Sequence, residues 1–303
     1  MTARVIADFG ADYLVQEDAV PRRAVARRCD PVVGDWVVLE GDFITEVLPR
    51  RTVFSRRAAG DENREQVLAA NVDIAFVVAA TPDVNVRRVE RYLTIAWQSG
   101  AVPVVVLTKA DLASPDVPDV RAQVVVTSSV TGEGVEDLVA MLLPDKTSVL
   151  LGPSGAGKST LINRIVGAEV MKTREVHRSG EGRHMTSHRQ LIELPGGGSI
   201  IDTPGLREAQ LWEGEEALGG VFEDVEELAL QCRFSDCGHR TEPGCAIKAA
   251  LADGSLDTAR FESYRKLQRE LRAIAKKGNA RLRIEDRRKW KQIAMASRGR
   301  TRP

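Results

Sequence analysis

The stretch GPSGAGKST, residues 152–160, decides the fold of the central part of the chain. It satisfies the pattern GxxxxGK[ST]. It stands between TSVLL, which is typical of a buried strand, and LINRIVG, which is typical of a helix. Glycines let the backbone wrap closely around phosphate oxygens, and the N-terminus of the next helix adds a positive end. The stretch therefore predicts a phosphate-binding loop.

The loop pattern predicts what each of its side chains binds. We expect Lys158 to reach the β- and γ-phosphates of a nucleotide and the hydroxyl of Ser159 to bind Mg²⁺. The other positions would contact phosphate through the backbone. The full set of predicted loop residues is Gly152, Pro153, Ser154, Gly155, Ala156, Gly157, Lys158, Ser159 and Thr160.

A second motif, IIDTPG at residues 200–205, follows another apolar run. A carboxylate at the end of a buried strand places Asp202 where it would hold Mg²⁺ through water, and Gly205 would turn its N–H to the γ-phosphate. Together with the phosphate loop, this motif indicates a nucleoside triphosphatase switch rather than a small-molecule kinase.

The base would be read by an earlier segment, VVVLTKADL at residues 104–112. Guanine offers two donors, N1–H and the 2-amino group, which one carboxylate accepts together, and this is the role we expect of Asp111. Adenine has an acceptor at N1 and no 2-amino group, so the same carboxylate would repel it. The aliphatic stem of Lys109 would lie over the base. GTP and GDP are therefore the predicted ligands.

Two further elements complete the predicted base site. Thr108 ends the apolar run, and the stretch TSSVTGEG at residues 127–134 supplies Ser128 and Ser129 in a loop whose N–H groups would meet the guanine oxygen. A P-loop kinase or ATPase is a competing interpretation, but it leaves the TKAD and DTPG motifs unexplained.

These motifs follow one another in the order base reader, serine loop, phosphate loop and DTPG. Most GTPases present the phosphate loop first. The order predicts a circular permutation, which a compact domain tolerates because its termini can move to exposed loops without a change in packing.

The pattern of apolar, turn and charged residues predicts three domains along the chain. Residues 1–57 read as short strands separated by turn residues, which predicts a small β-barrel. Residues 58–212 alternate apolar strands with helical patterns, which predicts an α/β domain with a parallel sheet covered by helices. Residues 213–303 are predicted to be mainly helical, with a cysteine cluster and a basic C-terminal tail.

Composition narrows the choice of partners and compartment. The formal net charge of the 303 residues is zero, yet residues 260–303 hold sixteen Lys or Arg against four Asp or Glu. This segregation indicates a polyanionic partner, with a solvated basic helix as the alternative. No apolar run approaches the ~18 residues of a membrane span, and the opening residues lack the plan of a secretory signal. We expect a cytoplasmic, monomeric protein.

Three of the four cysteines crowd into a short segment. Cys232, Cys237, His239 and Cys245 form the spacing C-x4-C-x-H-x5-C. Three thiolates and an imidazole match a closed tetrahedral zinc site with a structural role, and reduced core cysteines are the alternative. Cys29 lies far away in the sequence and is expected to be an ordinary cysteine.

A long helical pattern follows the cluster. Its apolar positions recur on one stripe, which predicts contact with a core, while its basic positions would face phosphate. The stripe consists of Phe261, Tyr264, Leu267, Leu271 and Ile274.

Taken together, these features resemble the ribosome small-subunit-dependent GTPase A family. The resemblance covers essentially the whole chain, and its sharpest motifs are GPSGAGKSTLIN, GEGRHMTSHR, DTPGLRE and CRFSDCGHRTEPGCAIKAAL. It implies an N-terminal OB-fold barrel, a circularly permuted GTPase domain and a C-terminal zinc domain. It also implies a factor of late small-subunit maturation that binds the subunit and its rRNA, hydrolyses GTP under stimulation by the subunit and then leaves.

Several positions depart from the usual patterns. The family's switch sequence is close to GRHTTTH, and GRHMTSH here leaves Thr186 as the threonine that would touch Mg²⁺ and the γ-phosphate. Thr108 replaces the more usual asparagine. Leu206, after the DTPG motif, cannot orient a water molecule as a glutamine would, and the family position is likewise hydrophobic. We therefore expect slow intrinsic turnover. His188 and His184 are candidates to assist catalysis, with structural or RNA-facing histidines as the alternative.

A second function remains open at this point. The chain could be a nucleotide-gated rRNA-binding assembly factor, in which GTP sets the conformation and hydrolysis is incidental.

Overall fold

The computed structural model describes residues 1–58, 61–142, 145–169, 189–202 and 216–278. The chain divides into two compact units, one made of residues 1–56 and 66–210 and the other of residues 57–65 and 211–303. Within the described ranges, no helix combines the length and the apolar character that a membrane crossing requires.

Five short strands at the N-terminus form a small barrel. Their hydrogen bonds follow the order β1-β2-β3-β5-β4, and β4 also pairs with β1, which closes the barrel. The β3–β5 pair is parallel and the other pairs are antiparallel. This is the predicted OB-like barrel. The strands are β1 (Thr2–Asp8), β2 (Tyr13–Glu17), β3 (Val20–Ala26), β4 (Trp36–Glu40) and β5 (Phe43–Val47).

The barrel interior is filled by small and β-branched side chains. Along β1, alternate residues are buried, as expected for a strand with one face on a core. The buried core consists of Ala3, Val5, Val15, Ala24, Val37, Leu39 and Ile44. Two further strands, β6 (Val53–Ala58) and β7 (Asp61–Ala70), follow the barrel and pair with each other.

The central domain is built on six more strands in the order β10-β9-β8-β11-β13-β12. The first five run parallel and β12 is antiparallel to β13. Near-continuous apolar runs such as that of β9 fit a sheet that is buried on both faces. The strands are β8 (Ile74–Ala80), β9 (Val102–Thr108), β10 (Gln123–Val126), β11 (Thr147–Leu151), β12 (Arg189–Glu193) and β13 (Ser199–Asp202).

Three helices belong to this sheet: α1 (Val86–Ser99), α2 (Val135–Leu142) and α3 (Lys158–Val166). Helix α1 contacts β8 and β9, while α2 and α3 contact each other. The apolar side chains of α2 and α3 share one core with those of the strands. The predicted alternation of strands and helices is confirmed.

The barrel sheet and the central sheet are continuous with each other. Strand β12 pairs with β13 on one side and with β1 of the barrel on the other, where Gln190 faces both Ala7 and Asp202. An ion pair between Arg189 and Asp8, at 3.4 Å, supports the same junction. The sequence did not predict this pairing, because a strand pattern does not specify a distant neighbour. The boundaries after residues 57 and 212 stay a prediction.

The second unit contains α4 (Glu216–Leu230), α5 (Ala246–Asp253) and α6 (Thr258–Gly278). Helix α4 contacts both α5 and α6, and it is kinked at Phe222, whose φ and ψ are −122° and 38°. The predicted stripe of α6 is buried at its first four positions and half-buried at Ile274. This part of the chain is mainly α-helical, as expected.

Candidate nucleotide site and metal centre

The phosphate loop connects β11 to α3, so that the motif lies between a buried strand and a helix as predicted. Gly152 has φ 141°, and a Cβ atom there would lie 2.4 Å from the carbonyl oxygen of Val78. Gly155 and Gly157 also have positive φ, of 81° and 89°. A larger residue at Gly152 would therefore displace β8, which explains the glycine at this point of the loop.

The lysine of the loop is held in place by the loop itself. Lys158 is 8% exposed, and its Nζ atom donates hydrogen bonds to the carbonyl oxygens of Gly152 at 2.7 Å and Pro153 at 2.6 Å. These bonds compensate the burial of the ammonium group. They also keep its positive charge beside the N-terminus of α3, where a phosphate would bind.

The strand order brings the phosphate loop and the IIDTPG motif to the same edge of the sheet. Strands β11 and β13 are parallel neighbours, with Val149 opposite Ile201. The phosphate loop and Asp202 therefore both follow the carboxyl ends of adjacent strands, which is where ligands bind in open α/β sheets. Four other predicted residues lie outside the described part of the chain, together with Leu206; they are Thr186, His184, His188 and Gly205.

The predicted base reader is organised by a side-chain hydrogen bond. Ser128 Oγ donates to Asp111 Oδ1 at 2.6 Å. The backbone N–H groups of Val130 and Thr131 donate to the same Ser128 oxygen at 3.2 and 3.1 Å. Because Ser128 is fully buried and held by these bonds, its hydroxyl fixes the orientation of the Asp111 carboxylate next to the serine loop. The sequence predicted that Ser128 lies in the base site but missed this role of its hydroxyl.

The neighbouring backbone supports the same arrangement. The N–H of Ala110 donates to the carbonyl oxygen of Thr127 at 3.1 Å, which ties the TKAD turn to the serine loop. Lys109 has φ 61°, a left-handed conformation that costs energy for a residue with a side chain and that is found at functional sites. Ser129 is half-buried in the same loop.

Thr108 links the base reader to the phosphate loop. Its hydroxyl lies 2.6 Å from the carbonyl oxygen of Ala156 and 3.3 Å from that of Ala79, and the residue is 1% exposed. The threonine hydroxyl therefore holds the phosphate loop against the end of β9. Beside this link is a cavity of about 260 Å³. Its lining includes Tyr92, Lys109, Leu112, Pro153 and Ser154.

The cysteine cluster has the geometry of a tetrahedral metal site. The four ligand atoms of Cys232, Cys237, His239 and Cys245 all lie within 4.8 Å of one another. The Sγ atom of Cys232 is 3.9 Å from that of Cys245, and His239 Nδ1 is 3.5 Å from both sulfurs. Zinc–ligand bonds of about 2.3 Å to sulfur and about 2.0 Å to nitrogen give tetrahedral edges of roughly these lengths. The donor set therefore fits zinc.

Protonation differs between the ligands of the cluster. Burial and the neighbouring thiols of the other two cysteines raise the pKa of the Cys237 thiol to about 11, so this ligand would lose its proton when a metal binds. Burial acts to raise the pKa of the Cys232 thiol, but the backbone N–H groups of Ile247 and Ala246 at the start of α5 outweigh it, and the net pKa is lowered. Burial lowers the pKa of His239, which keeps its imidazole neutral at neutral pH. Metal ligands need a thiolate and a neutral imidazole.

Comparison with known families decides the identity of the fold. A family model described as RsgA GTPase matches residues 47–212, more than half of the chain. The chain belongs to the RsgA GTPase family. As a member it is a P-loop GTPase, an enzyme that hydrolyses GTP. A second model, described as 50S ribosome-binding GTPase, matches residues 147–282, which include the phosphate loop.

Curated relatives agree with the RsgA assignment over most of the chain. A protein of Opitutus terrae named small ribosomal subunit biogenesis GTPase RsgA is 48% identical, over 90% of this chain and 81% of the relative. A protein of the same name from Streptomyces avermitilis is 50% identical, over 86% of this chain and 74% of the relative.

Solved structures of the RsgA type share the architecture. YjeQ from Thermotoga maritima is 26% identical, with a TM-score of 0.66 over 89% of this chain and 98% of that chain. YloQ, described as a circularly permuted GTPase, is 25% identical, with a TM-score of 0.61 over 90% of this chain and 95% of that chain. The circular permutation predicted from the motif order is thus confirmed.

Proposed function

We propose that this chain is a GTPase of small-ribosomal-subunit maturation. It binds the subunit and its rRNA, hydrolyses GTP to GDP and phosphate under stimulation by the subunit, and then dissociates. The observation that carries the proposal is the hydrogen bond from the buried Ser128 to the exposed Asp111 carboxylate, beside a phosphate loop. The relatives of this chain are named for small-subunit biogenesis. The large-subunit description belongs to a family that matches less of the chain.

The proposed nucleotide site divides the work between two sets of residues. Asp111 accepts N1–H and the 2-amino group of guanine, and the stem of Lys109 covers the base. The backbone of the phosphate loop and the ammonium of Lys158 hold the phosphates, where positive charge stabilises the oxygens as the γ-phosphate leaves. Thr160, at the first turn of α3, completes the loop.

We further propose that Ser159, Thr186 and Asp202 hold Mg²⁺, which would neutralise charge on the β- and γ-phosphates. In the reaction a water oxygen forms a bond to the γ-phosphorus while the bond to the β–γ bridging oxygen breaks. The electron pair stays on GDP, and the proton of the water leaves with phosphate or solvent. Gly205 would donate its N–H to a γ-phosphate oxygen.

Orientation of the attacking water is the missing part of this site. Leu206 has no polar group for it, so the free protein is expected to turn over slowly. Contact with the small subunit would position the water or rearrange the switch segment. His188 is the candidate side chain for this step, with His184 four positions before it.

The Cys₃His cluster would hold one structural Zn²⁺. Four protein ligands leave no open position for a catalytic water, so the ion would stabilise the small helical unit rather than react. This unit has three helices among its described residues, and a metal commonly stabilises so small a core.

Two surfaces favour RNA as the partner. On the barrel, the guanidinium carbon of Arg27 lies 3.3 Å from the ring centroid of Phe43, and that of Arg23 lies 5.3 Å from the ring of Phe9. Aromatic rings and arginines on an OB-like barrel are suited to bases and phosphates. On α6, the exposed basic residues off the buried stripe include Lys266, Arg269 and Arg272.

GTP turnover of the purified protein, alone and with isolated small ribosomal subunits, tests the proposal. We expect a large rise that large subunits do not reproduce and that Lys158→Ala abolishes. If turnover does not rise while GTP-dependent binding to the subunit persists, the result supports the second candidate, a nucleotide-gated rRNA-binding factor. The lack of a water-orienting side chain at Leu206 is the observation that favours this candidate. Loss of both activity and binding would overturn the proposal. A monomer in the cytoplasm is the form that we propose for this role.

A further inference from the structure

The loop that carries two of the metal ligands is folded around one carboxylate. Glu242 Oε1 accepts a hydrogen bond from the backbone N–H of Gly238 at 3.0 Å. Its Oε2 accepts bonds from the N–H groups of Arg240 and Thr241 at 2.7 and 2.9 Å. Successive N–H groups that converge on one anion form a concave turn. Glu242 therefore satisfies three exposed backbone donors that water would otherwise hydrate, and it ties them to one point.

The ligand His239 sits in the middle of this turn. Its φ is 56°, a left-handed conformation that a residue with a Cβ adopts only when its surroundings hold it there. The backbone N–H groups of its two neighbours in the chain, Gly238 and Arg240, both donate to Glu242. The His239 ring also lies against Phe261, with centroids 6.2 Å apart in an edge-on arrangement. The Glu242 carboxylate thus fixes the backbone of the turn, while Phe261 restricts the orientation of the His239 imidazole ring.

We propose that Glu242 is a positioning residue of the metal centre, which orders the His239 turn before the metal arrives and so increases zinc affinity without contacting the ion. This inference rests on the proposed zinc site. Its physical basis is pre-organisation, because a turn that is already formed loses less conformational freedom on binding. Partners that hydrogen-bond the ligand side chains of a metal site typically change affinity by about 10- to 100-fold, and we expect a partner of the ligand's backbone to act in the same range.

The test measures zinc affinity of the full-length protein by competition with a chromophoric chelator. Glu242→Ala is expected to weaken zinc binding by about 10- to 100-fold. Glu242→Gln keeps one acceptor oxygen and is expected to lose less. The matched control is Glu227→Gln, an exposed glutamate on α4 of the same unit, which should bind zinc as the wild type does. Far-ultraviolet circular dichroism before metal addition verifies that each variant is folded.

A double-mutant cycle separates positioning from a general effect on stability. If Glu242 acts through His239, Glu242→Ala should weaken zinc binding far less in a His239→Ala background than in the wild type. The visible absorption of bound Co²⁺ should also lose tetrahedral intensity in Glu242→Ala. Equal losses in both backgrounds, or zinc affinity of both Glu242 variants within about two-fold of the control, would overturn the inference. Absence of tetrahedral Co²⁺ and of zinc binding in the wild type would instead overturn the zinc site itself.

Discussion

The hydroxyl of Ser128 donates a hydrogen bond of 2.6 Å to the carboxylate of Asp111, and its oxygen accepts hydrogen bonds from the backbone N–H groups of Val130 and Thr131. The residues are 17 positions apart in the chain and come together because β9 and β10 are parallel neighbours. One Asp111 oxygen is thereby engaged and the direction of the carboxylate is set. In the proposed base site, the serine loop would therefore support the carboxylate that reads guanine as well as contribute to the wall of the site.

Replacement of Ser128 by alanine should weaken guanine nucleotide binding. Hydrogen bonds to charged groups contribute about 1.5–3 kcal/mol, so we expect GDP affinity to fall by about ten-fold or more. Titration with a fluorescent GDP analogue measures this change. Melting of the nucleotide-free variant serves as a control for its fold. Unchanged affinity would mean that Asp111 holds its direction without the serine.

Exchange of Asp111 for asparagine should change which base is bound. An amide donates a hydrogen bond where the carboxylate accepted one, which suits the C2 oxygen of xanthine and opposes the 2-amino group of guanine. We expect GTP affinity to fall by at least about 100-fold, because two charge-assisted bonds are affected, and XTP affinity to rise. Competition binding with GTP, XTP and ATP measures the change. A variant that keeps its preference for GTP would remove Asp111 from the base site.

The hydroxyl of Thr108 provides a third test. Valine has nearly the same shape but no donor, so Thr108→Val would leave the buried carbonyl oxygen of Ala156 without this bond, at a cost of about 1–3 kcal/mol. We expect a lower melting temperature and weaker nucleotide binding. Thr108→Ser retains the hydroxyl and should stay close to the wild type in nucleotide affinity. If valine and serine behave alike, the hydroxyl does not support the loop.

Much of the fold was predictable because its signals are local. The strand, loop and helix around Gly152 follow from the GxxxxGK[ST] pattern and from the residues directly before and after it. The metal cluster was predictable for the same reason, because its ligands lie within fourteen consecutive residues, from Cys232 to Cys245. Such patterns do not depend on the rest of the fold.

The remaining features depend on contacts between distant segments. Nothing in β12 marks β1 as its neighbour, because a strand can pair with any compatible edge, and Gln190 meets Ala7 only in the folded chain. The role of Ser128 toward Asp111 likewise requires the register of two strands. Glu242 was missed for another reason: its partners are backbone N–H groups, which leave no trace in residue type.

The second unit offers a prediction about pH. Arg260 on α6 donates to Asp224 on α4 through Nε and Nη2, both at 2.7 Å, and through Nη2 to the carbonyl oxygen of Val221 at 2.9 Å. Burial acts to raise the pKa of Asp224, but the Arg260 guanidinium outweighs it and the pKa is lowered. A carboxyl whose pKa is lower in the folded state stabilises that state above its unfolded pKa. The contribution disappears as the pH falls through the lowered value.

Asp224→Asn should therefore destabilise the protein at neutral pH and have a smaller effect in acid. Because the pair is partly exposed to solvent, we expect a loss of about 1 kcal/mol at pH 7, which shrinks as the pH falls below the ordinary carboxyl pKa of about 3.8. Thermal melting of the wild type and the variant between about pH 3 and pH 7 measures the difference in stability. Both proteins are used without metal, so that loss of metal at low pH does not contribute to the difference. Glu227→Gln, on the same helix, is the control for removal of one negative charge. A difference between wild type and Asp224→Asn that stays constant over this range would show that the carboxylate does not stabilise α4 against α6 through its charge.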